Sequence, residues 1–388
     1  MQFEFMTAGR VVFGPGSVGR AGAAAAALGR RAFVLTGRDT RRAARLLASL
    51  EEVGVEVRAF AVAGEPSFAR IEEALAAARE WTCDLVVGFG GGSALDAAKA
   101  VAALLANPGP LLDYVEVIGA GKPLARPSLP CIAIPTTAGT GSEVTKNAVL
   151  SSPERKVKVS LRSPSMLPRV AIVDPELCCD LPPEATANTG MDALTQVLEP
   201  LVCNKPNPLI DAICREGLAA AAHSLRTACR EGRNARARED MSFAALAGGM
   251  ALANASLGAV HGLAAPIGGA FGAPHGAVCA ALLAPVVAAN IAALRARVPD
   301  SPVLGRYAEA ARILRGLPAG APSPRPEEAA EALSELAADI GIKRLSAFGL
   351  GEADFPSIIE KAAAASSMKG NPIALEPGEL RAILFMAL

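Results

Sequence analysis

Rings and imidazoles are scarce in this 388-residue chain: one Trp, two Tyr, twelve Phe and three His. A core without aromatic bulk must come from aliphatic packing, and the 51% of hydrophobic residues, led by Ala, Val and Leu, supply it. Net charge is missing as well, since 38 Lys plus Arg balance 38 Asp plus Glu. With no surplus of cations to displace counterions from phosphates, a nucleic-acid binder is excluded. The high apolar share excludes an acidic disordered chain. Paired cysteines are absent too: the eight Cys form no CxxC and lie in apolar segments, which predicts reduced thiols in a cytoplasmic protein. No basic stretch followed by a long apolar region opens the chain, so no secretory signal is expected. The length suits two domains.

The largest local absence is of charge. From Met241 to Leu294, 54 residues, there is no Asp, Glu, Lys or Arg, yet His261 and His275 both fall inside. Gly276–Leu294 approaches the ~20 residues of a membrane span, but it carries Pro285 and Asn290 and is mostly alanine. Upstream, the window is broken by Pro266, Gly268, Gly269, Gly272 and Pro274. A helix buried on all sides of a protein core reads the same way, and that is the expectation.

What is present has a clear order. Arg31–Gly37, Val55–Val62, Cys83–Ser93, Leu129–Thr137 and Arg169–Pro175 read as buried strands, separated by helical stretches at Thr40–Val53 and Phe68–Trp81. Near-continuous apolar strands alternating with helices predict a parallel sheet covered on both faces. After Leu181-Pro182-Pro183 the β-branched runs stop and alanine-rich helical patterns continue to the end, placing a domain boundary near Asp180. Gly316–Pro326 reads as a loop between helices.

Two glycine turns compete for a dinucleotide. Gly14-Pro15-Gly16-Ser17-Val18-Gly19 matches GxGxxG with Asp39 twenty residues further on, but Pro15 lies inside it, and a tight turn before a helix explains it equally well. The second is better placed. Strand Leu85–Phe89 runs into Gly90-Gly91-Gly92-Ser93, and Ala94–Leu105 is helical. Glycines there admit a pyrophosphate to backbone N–H groups at a helix N-terminus, with Ser93 as cap or phosphate donor and Asp96 in the first turn. A third loop, Pro135–Glu143, brings Thr136, Thr137 and Thr140 to the end of another strand, where open α/β sheets bind ligands. In the helical half, Asp192 and Gln196 are four apart and share a helix face ahead of Glu199. With His261 and His275 they offer a carboxylate and two imidazoles, a set preferred by Fe²⁺ or Zn²⁺. His223, among charged neighbours on an alanine-rich helix, has no such context.

In these motifs, taken in order, the chain resembles the iron-containing (group III) alcohol dehydrogenase family. The resemblance runs through VVFGPGSV, GGGSALDAAKA (Gly90–Ala100), IPTTAGTGSEVT (Ile134–Thr145), AIVDPEL (Ala171–Leu177), GMDALTQVLE (Gly190–Glu199), GAVHGLAAPIGGAFGAPHG (Gly258–Gly276) and KGNPIAL. It implies a dehydroquinate synthase-like two-domain fold: a Rossmann-like α/β domain with a parallel sheet over residues 1–180 and an all-helical domain over 181–388. Substrate and divalent metal are expected in the cleft between them, with the charge-free window as its buried wall. The resemblance places the pyrophosphate of NAD or NADP on Gly90–Ser93, which makes the N-terminal GxGxxG a decoy. It assigns cofactor contacts to Gly91, Gly92, Ser93, Asp96, Thr136, Thr140 and Lys158, and metal and catalytic roles to Asp192, His261 and His275.

Three departures from the family pattern carry expectations of their own. Gln196 stands where the family has a fourth, histidine ligand; an amide oxygen is the poorer donor, so metal affinity should fall. The glycerol dehydrogenases, which resemble the chain, manage with one Asp and two His. Ala265 replaces the second histidine of an H-x-x-x-H pattern that begins at His261, removing a histidine near substrate and ribose. Gly37-Arg38 ends the second strand where NAD-selective members place an Asp, so NADP should be accepted. The implied activity is hydride transfer between NAD(P) and a small alcohol or aldehyde in a cytoplasmic homodimer or larger homo-oligomer, with no nucleic acid or membrane as partner. Three alternatives stay open: a metal-independent reductase resembling maleylacetate reductase, a lyase resembling dehydroquinate synthase, and a non-catalytic nucleotide-binding relic.

Overall fold

The computed structural model describes residues 2–155, 157–318 and 320–388. The chain separates into two compact units. One comprises Met6–Thr137 and Gly141–Cys178; the other comprises Cys179–Leu388 with the first residues up to Phe5 and the short piece Ala138–Thr140.

The first unit is built on strands β1 (Val11–Phe13), β2 (Arg31–Thr36), β3 (Glu56–Ala61), β4 (Leu85–Gly90), β5 (Cys131–Pro135) and, after the hairpin described below, β8 (Val170–Val173). They pair in parallel in the order β1-β8-β5-β4-β2-β3. Period-two alternation explains why the central strands are apolar throughout. Phe33, Leu35 and Val86 point into one core with Val101, while Ala32, Val34, Leu85 and Val87 point into the other with Leu46 and Leu50. Each such side chain contributes about 1.5–3 kcal/mol on burial. Edge strand β3 has one covered face at most and is correspondingly more polar. Helices α1 (Ala21–Ala26), α2 (Ala44–Glu51), α3 (Phe68–Trp81) and α4 (Gly92–Ala106) flank the sheet. Ser67 caps α3 by accepting from Arg70 N–H.

One element has no forecast in the apolar runs. β6 (Asn147–Ser152) and β7 (Val157–Arg162) form an antiparallel hairpin outside the main sheet. Its strands alternate rather than run apolar: Ala148, Leu150, Val159 and Leu161 are buried, and the residues between them are not.

The second unit is helical: α5 (Pro183–Val202), α6 (Pro208–Arg230), α7 (Ala235–Asn254), α8 (Ala259–Phe271), α9 (His275–Arg297), α10 (Pro302–Leu314), α11 (Glu328–Asp339), α12 (Phe355–Ala364) and α13 (Pro377–Ala387). Residues 316–326, apart from Ala319 outside the described set, lie between α10 and α11. Side-chain oxygens of Asn207 and Asn234 cap α6 and α7. The charge-free window is the end of α7, all of α8 and most of α9. By length and hydropathy α9 could cross a membrane, but 67% of its apolar stretch is buried inside the protein. It packs on α5, α8, α11 and α13. With no Asp, Glu, Lys or Arg before Arg295, it is a core helix. Glycine lets its neighbours close up: a Cβ at Gly248 of α7 would stand 2.9 Å from Gln196 Cβ on α5.

Candidate metal and cofactor sites

The helical unit gathers the imidazoles around a carboxylate. Asp192, Gln196 and Glu199 fall at i, i+4 and i+7 on α5 and are all buried. His261 is the third residue of α8 and His275 the first of α9. Gly272, in the left-handed region at φ 64°, ends α8, and Pro274 starts the next helix, so a tight reversal returns the chain to the same spot. There, Nε2 of His261 and Nε2 of His275 stand 3.6 and 3.7 Å from Asp192 Oδ1. That oxygen belongs to a residue 1% exposed and, among the described residues, accepts no hydrogen bond. A buried carboxylate oxygen without a donor is costly. Two ligands on one tetrahedral ion with bonds of ~2.1 Å sit about 3.4 Å apart, so the residues present fit a divalent metal.

Glu199 completes the arrangement. Its Oε2 lies 2.6 Å from His261 Nδ1, and its Oε1 accepts from Val260 N–H at 2.8 Å. One carboxylate thereby orients the imidazole and caps the first turn of α8, whose next N–H, on Ala259, is taken by Asn371 Oδ1 at 3.1 Å. Gly258 is the only residue type that fits between them: a Cβ there would be 2.9 Å from both oxygens. Without a metal, burial works against an imidazolium at His261, but Glu199 and Asp192 outweigh it and push its pKa up to about 10. Burial would raise the Asp192 carboxyl, yet His275 and His261 hold it below its ordinary value. His275, its side chain 37% exposed, is where solvent reaches the cluster.

Gln196 donates from Nε2 to the carbonyl of Gly139, 3.0 Å away within the same unit. Ala265 is an exposed residue of α8, one turn beyond His261. Neither Glu199 nor Cys279 has an assigned role in the sequence pattern. The available signal was spacing: Glu199 lies seven residues after Asp192, and Cys279 four after His275, each pair on one helix face. The Sγ of Cys279 is 3.6 Å from His275 Nε2. The donor atoms of Asp192, His261, His275 and Cys279 all lie within 4.8 Å of one another.

In the α/β unit, the glycine turn sits at the carboxyl ends of three neighbouring strands. Gly90 has φ 157°, and a Cβ there would come within 2.7 Å of Ala94 Cβ and 3.2 Å of Gly37 N. Thr136 N–H donates to Gly90 O at 2.8 Å, and Thr137 packs beside Gly91. Gly37, Gly90, Gly91, Thr136 and Thr137 thus meet at one rim of the sheet, with Gly92 and Ser93 opening α4. No side chain caps α4 from Gly91, and the positive end of a helix dipole suits an anion. Arg38 is exposed beside this rim.

Two other expected contacts have protein partners. Asp96 Oδ1 accepts from Ser142 Oγ at 2.5 Å and pairs with Lys99 Nζ at 3.1 Å, while Oδ2 accepts from Val149 N–H at 2.9 Å. Lys99, wholly buried, also donates to Ser142 O and Thr145 Oγ1. Lys158 on β7 pairs with Glu65 at 2.5 Å. Thr140 belongs to the short piece that packs with the helical unit.

The N-terminal GxGxxG is filled from within. Asp174, just after β8, accepts from Gly16 N–H at 3.1 Å and from Val18 N–H at 3.0 Å. Gly14 N–H donates to Val173 O. The amides that would greet a pyrophosphate already hold a carboxylate. Asp39 is likewise engaged, accepting from Arg41 N–H and pairing with its guanidinium.

Comparison with known proteins agrees with this geometry. Residues 8–175 match the family described as iron-containing alcohol dehydrogenase, and residues 186–388 match the Fe-containing alcohol dehydrogenase family, C-terminal. The chain is 35% identical over 393 residues to a 1,3-propanediol dehydrogenase of Klebsiella pneumoniae, covering 99% of this chain and 98% of the relative. It is 37% identical over 342 residues to alcohol dehydrogenase 4 of Saccharomyces cerevisiae (strain YJM789), covering 88% and 85%. A solved 1,3-propanediol oxidoreductase superposes with a TM-score of 0.92 at 34% identity, covering 100% of both chains. A sulfoacetaldehyde reductase from Bifidobacterium kashiwanohense, solved in complex with NAD⁺, gives 0.86 at 27% identity, covering 100% of this chain and 99% of that one.

Proposed function

The chain belongs to the iron-containing alcohol dehydrogenase family, whose members oxidise or reduce at CH–OH groups with NAD(P) and a divalent metal, and on that premise we propose how its own residues divide the work. Asp192, His261 and His275 would hold the metal, and the Gly90–Ser93 turn with Thr136 and Thr137 would hold the cofactor. The substrate is a small alcohol or aldehyde. When bound, a metal there would polarise the substrate's C–O bond and a nicotinamide would exchange hydride with its carbon.

The protein's part is alignment and charge. Glu199 keeps a proton on His261 Nδ1 and so leaves Nε2 as the donor nitrogen. Asp192 supplies negative charge that a dication needs in a buried surround. The aliphatic wall of α8 and α9 keeps water from all sides except that of His275. On the cofactor side, the loop after β2 carries Arg38, Arg41 and Arg42 against a single Asp39, whose carboxylate is committed to Arg41. That balance supports acceptance of a 2′-phosphate, hence NADP alongside NAD. Eight cysteines, none disulfide-bonded among the described residues, support a reducing compartment such as the cytoplasm.

The observation that carries the metal assignment is Asp192 Oδ1, buried, without a hydrogen bond and facing two imidazole nitrogens. Oxidation of NADH and NADPH with an aldehyde panel, before and after stripping with a chelator, tests it. Activity should fall on stripping and return with Fe²⁺ or Zn²⁺. Full activity in verified metal-free protein removes the metal from the mechanism.

A further inference from the structure

We propose that Cys279 is a protein ligand of the metal, so that the ion is held by one carboxylate, two imidazoles and one thiolate. This rests on the assignment of Asp192, His261 and His275 made above.

Buried cysteines are common core fillers, and Cys131 here lies in the apolar core of the α/β unit. Cys279 differs in what its sulfur faces. It lies one turn after His275 on α9, so both side chains leave the helix on the same face. Its Sγ is 3.6 Å from His275 Nε2. Zn–S and Zn–N bonds of ~2.3 and ~2.1 Å at a tetrahedral angle place sulfur and nitrogen about 3.6 Å apart. The second, independent observation is Asp192 Oδ1, which is 1% exposed at residue level, lacks a hydrogen bond and points into the same cluster. All four donor atoms are mutually within 4.8 Å. Gln196, the other candidate for a fourth position, has its amide nitrogen on Gly139 O.

On loading, the Cys279 S–H bond breaks, its proton leaves to solvent and the sulfur pair is donated to the dication, with no change of oxidation state. A soft sulfur among nitrogen and oxygen donors favours Zn²⁺ and Co²⁺ over harder Mn²⁺ or Mg²⁺. With Co²⁺ it also adds a sulfur-to-metal charge-transfer band that a set of oxygen and nitrogen donors lacks.

The test uses full-length protein stripped of metal and titrated with Co²⁺. The expected result is one equivalent bound with a thiolate-to-cobalt charge-transfer band in the near ultraviolet. In Cys279→Ser and Cys279→Ala, checked for folding by circular dichroism, that band should vanish while the visible ligand-field bands of bound Co²⁺ remain. Affinity should drop at least about tenfold, since loss of an outer-shell partner alone costs that much. A wild-type spectrum with ligand-field bands and no charge-transfer band, or a band that persists in Cys279→Ser, overturns the Cys279 assignment and leaves the three-residue metal site standing. Absence of any Co²⁺ binding in the wild type overturns both. The wild-type spectrum needs no variant, so the outcome does not hang on whether a substitution folds.

Discussion

Glu199 offers the sharpest test of how the site is organised, because it touches the metal only through His261. Its Oε2 takes the His261 Nδ1 proton at 2.6 Å and its Oε1 caps Val260 N–H at 2.8 Å. In Glu199→Gln the amide oxygen can keep the cap, but the NH₂ then confronts Nδ1. That nitrogen must become an acceptor, the ring proton moves to Nε2, and the lone pair aimed at the cluster is lost. Outer-shell substitutions of this kind cost about 10- to 100-fold in metal affinity, equivalent to about 1.4–2.7 kcal/mol. Because one charge-assisted hydrogen bond becomes a neutral one, the stripped protein should lose the difference between the two, about 1–1.5 kcal/mol of stability. Zn²⁺ affinity by competition with a chromophoric chelator reads the first quantity, and denaturant unfolding of stripped protein reads the second. Gly258→Ala attacks the same carboxylate from the other side, with a Cβ 2.9 Å from Glu199 Oε1, and should shift affinity in the same direction. If Glu199→Gln is stably folded and binds Zn²⁺ as tightly as the wild type, Glu199 does not set the imidazole's donor nitrogen and the account fails.

Further expectations follow from the α/β unit. Burial pushes Glu143 up to about 7 against the pull of its own backbone N–H and of Lys99. The folded state therefore binds more protons than the unfolded state between the ordinary value near 4.5 and 7. Glu143 thus costs stability progressively as pH rises through that window, reaching about 3 kcal/mol above it. Glu143→Gln should gain on the wild type in denaturant midpoint between pH 5 and pH 8, and a pH-independent difference would refute the assignment. Asp96→Asn strips the partner from a wholly buried Lys99 and weakens the ties to Ser142 and Val149. A loss of about 3–5 kcal/mol is expected by chemical denaturation; a change near zero would show the pair to be dispensable. For Arg38→Ala, the KM for NADPH should rise severalfold while that for NADH stays level. Equal effects on both cofactors, or none, would detach Arg38 from the 2′-phosphate.

Much of the fold was legible because its signals are local. Runs such as Arg31–Gly37 and Cys83–Phe89 are apolar at every position only when a strand has two covered faces, and three glycines directly after one leave little but a backbone turn into a helix. The hairpin of β6 and β7 escaped notice because alternating strands of six residues with Ser and Lys between their apolar positions resemble loop. In the site, Asp192, His261 and His275 stood out by chemistry and by their uncharged setting. Glu199 and Cys279 did not, since an acid on a helix and a buried thiol are ordinary residues until something is placed against them.

Spacing along the chain therefore determined which residues share a strand face or a helix stripe, where the sheet ends and the helices begin, and which side chains could do chemistry. Only the tertiary structure decided what each of them meets. Asp174 closes on the amides of Gly16 and Val18 some 158 and 156 residues away and so occupies the first glycine motif. Asp96 turns to Ser142, Lys99 and Val149. The charge-free window becomes part of a helical bundle, with its two histidines beside Asp192 Oδ1, which takes no hydrogen bond from the described residues. Covalent neighbours and helical periodicity set directions within one element. The few ångströms between elements, on which hydrogen bonds and metal ligation depend, are set by how those elements pack.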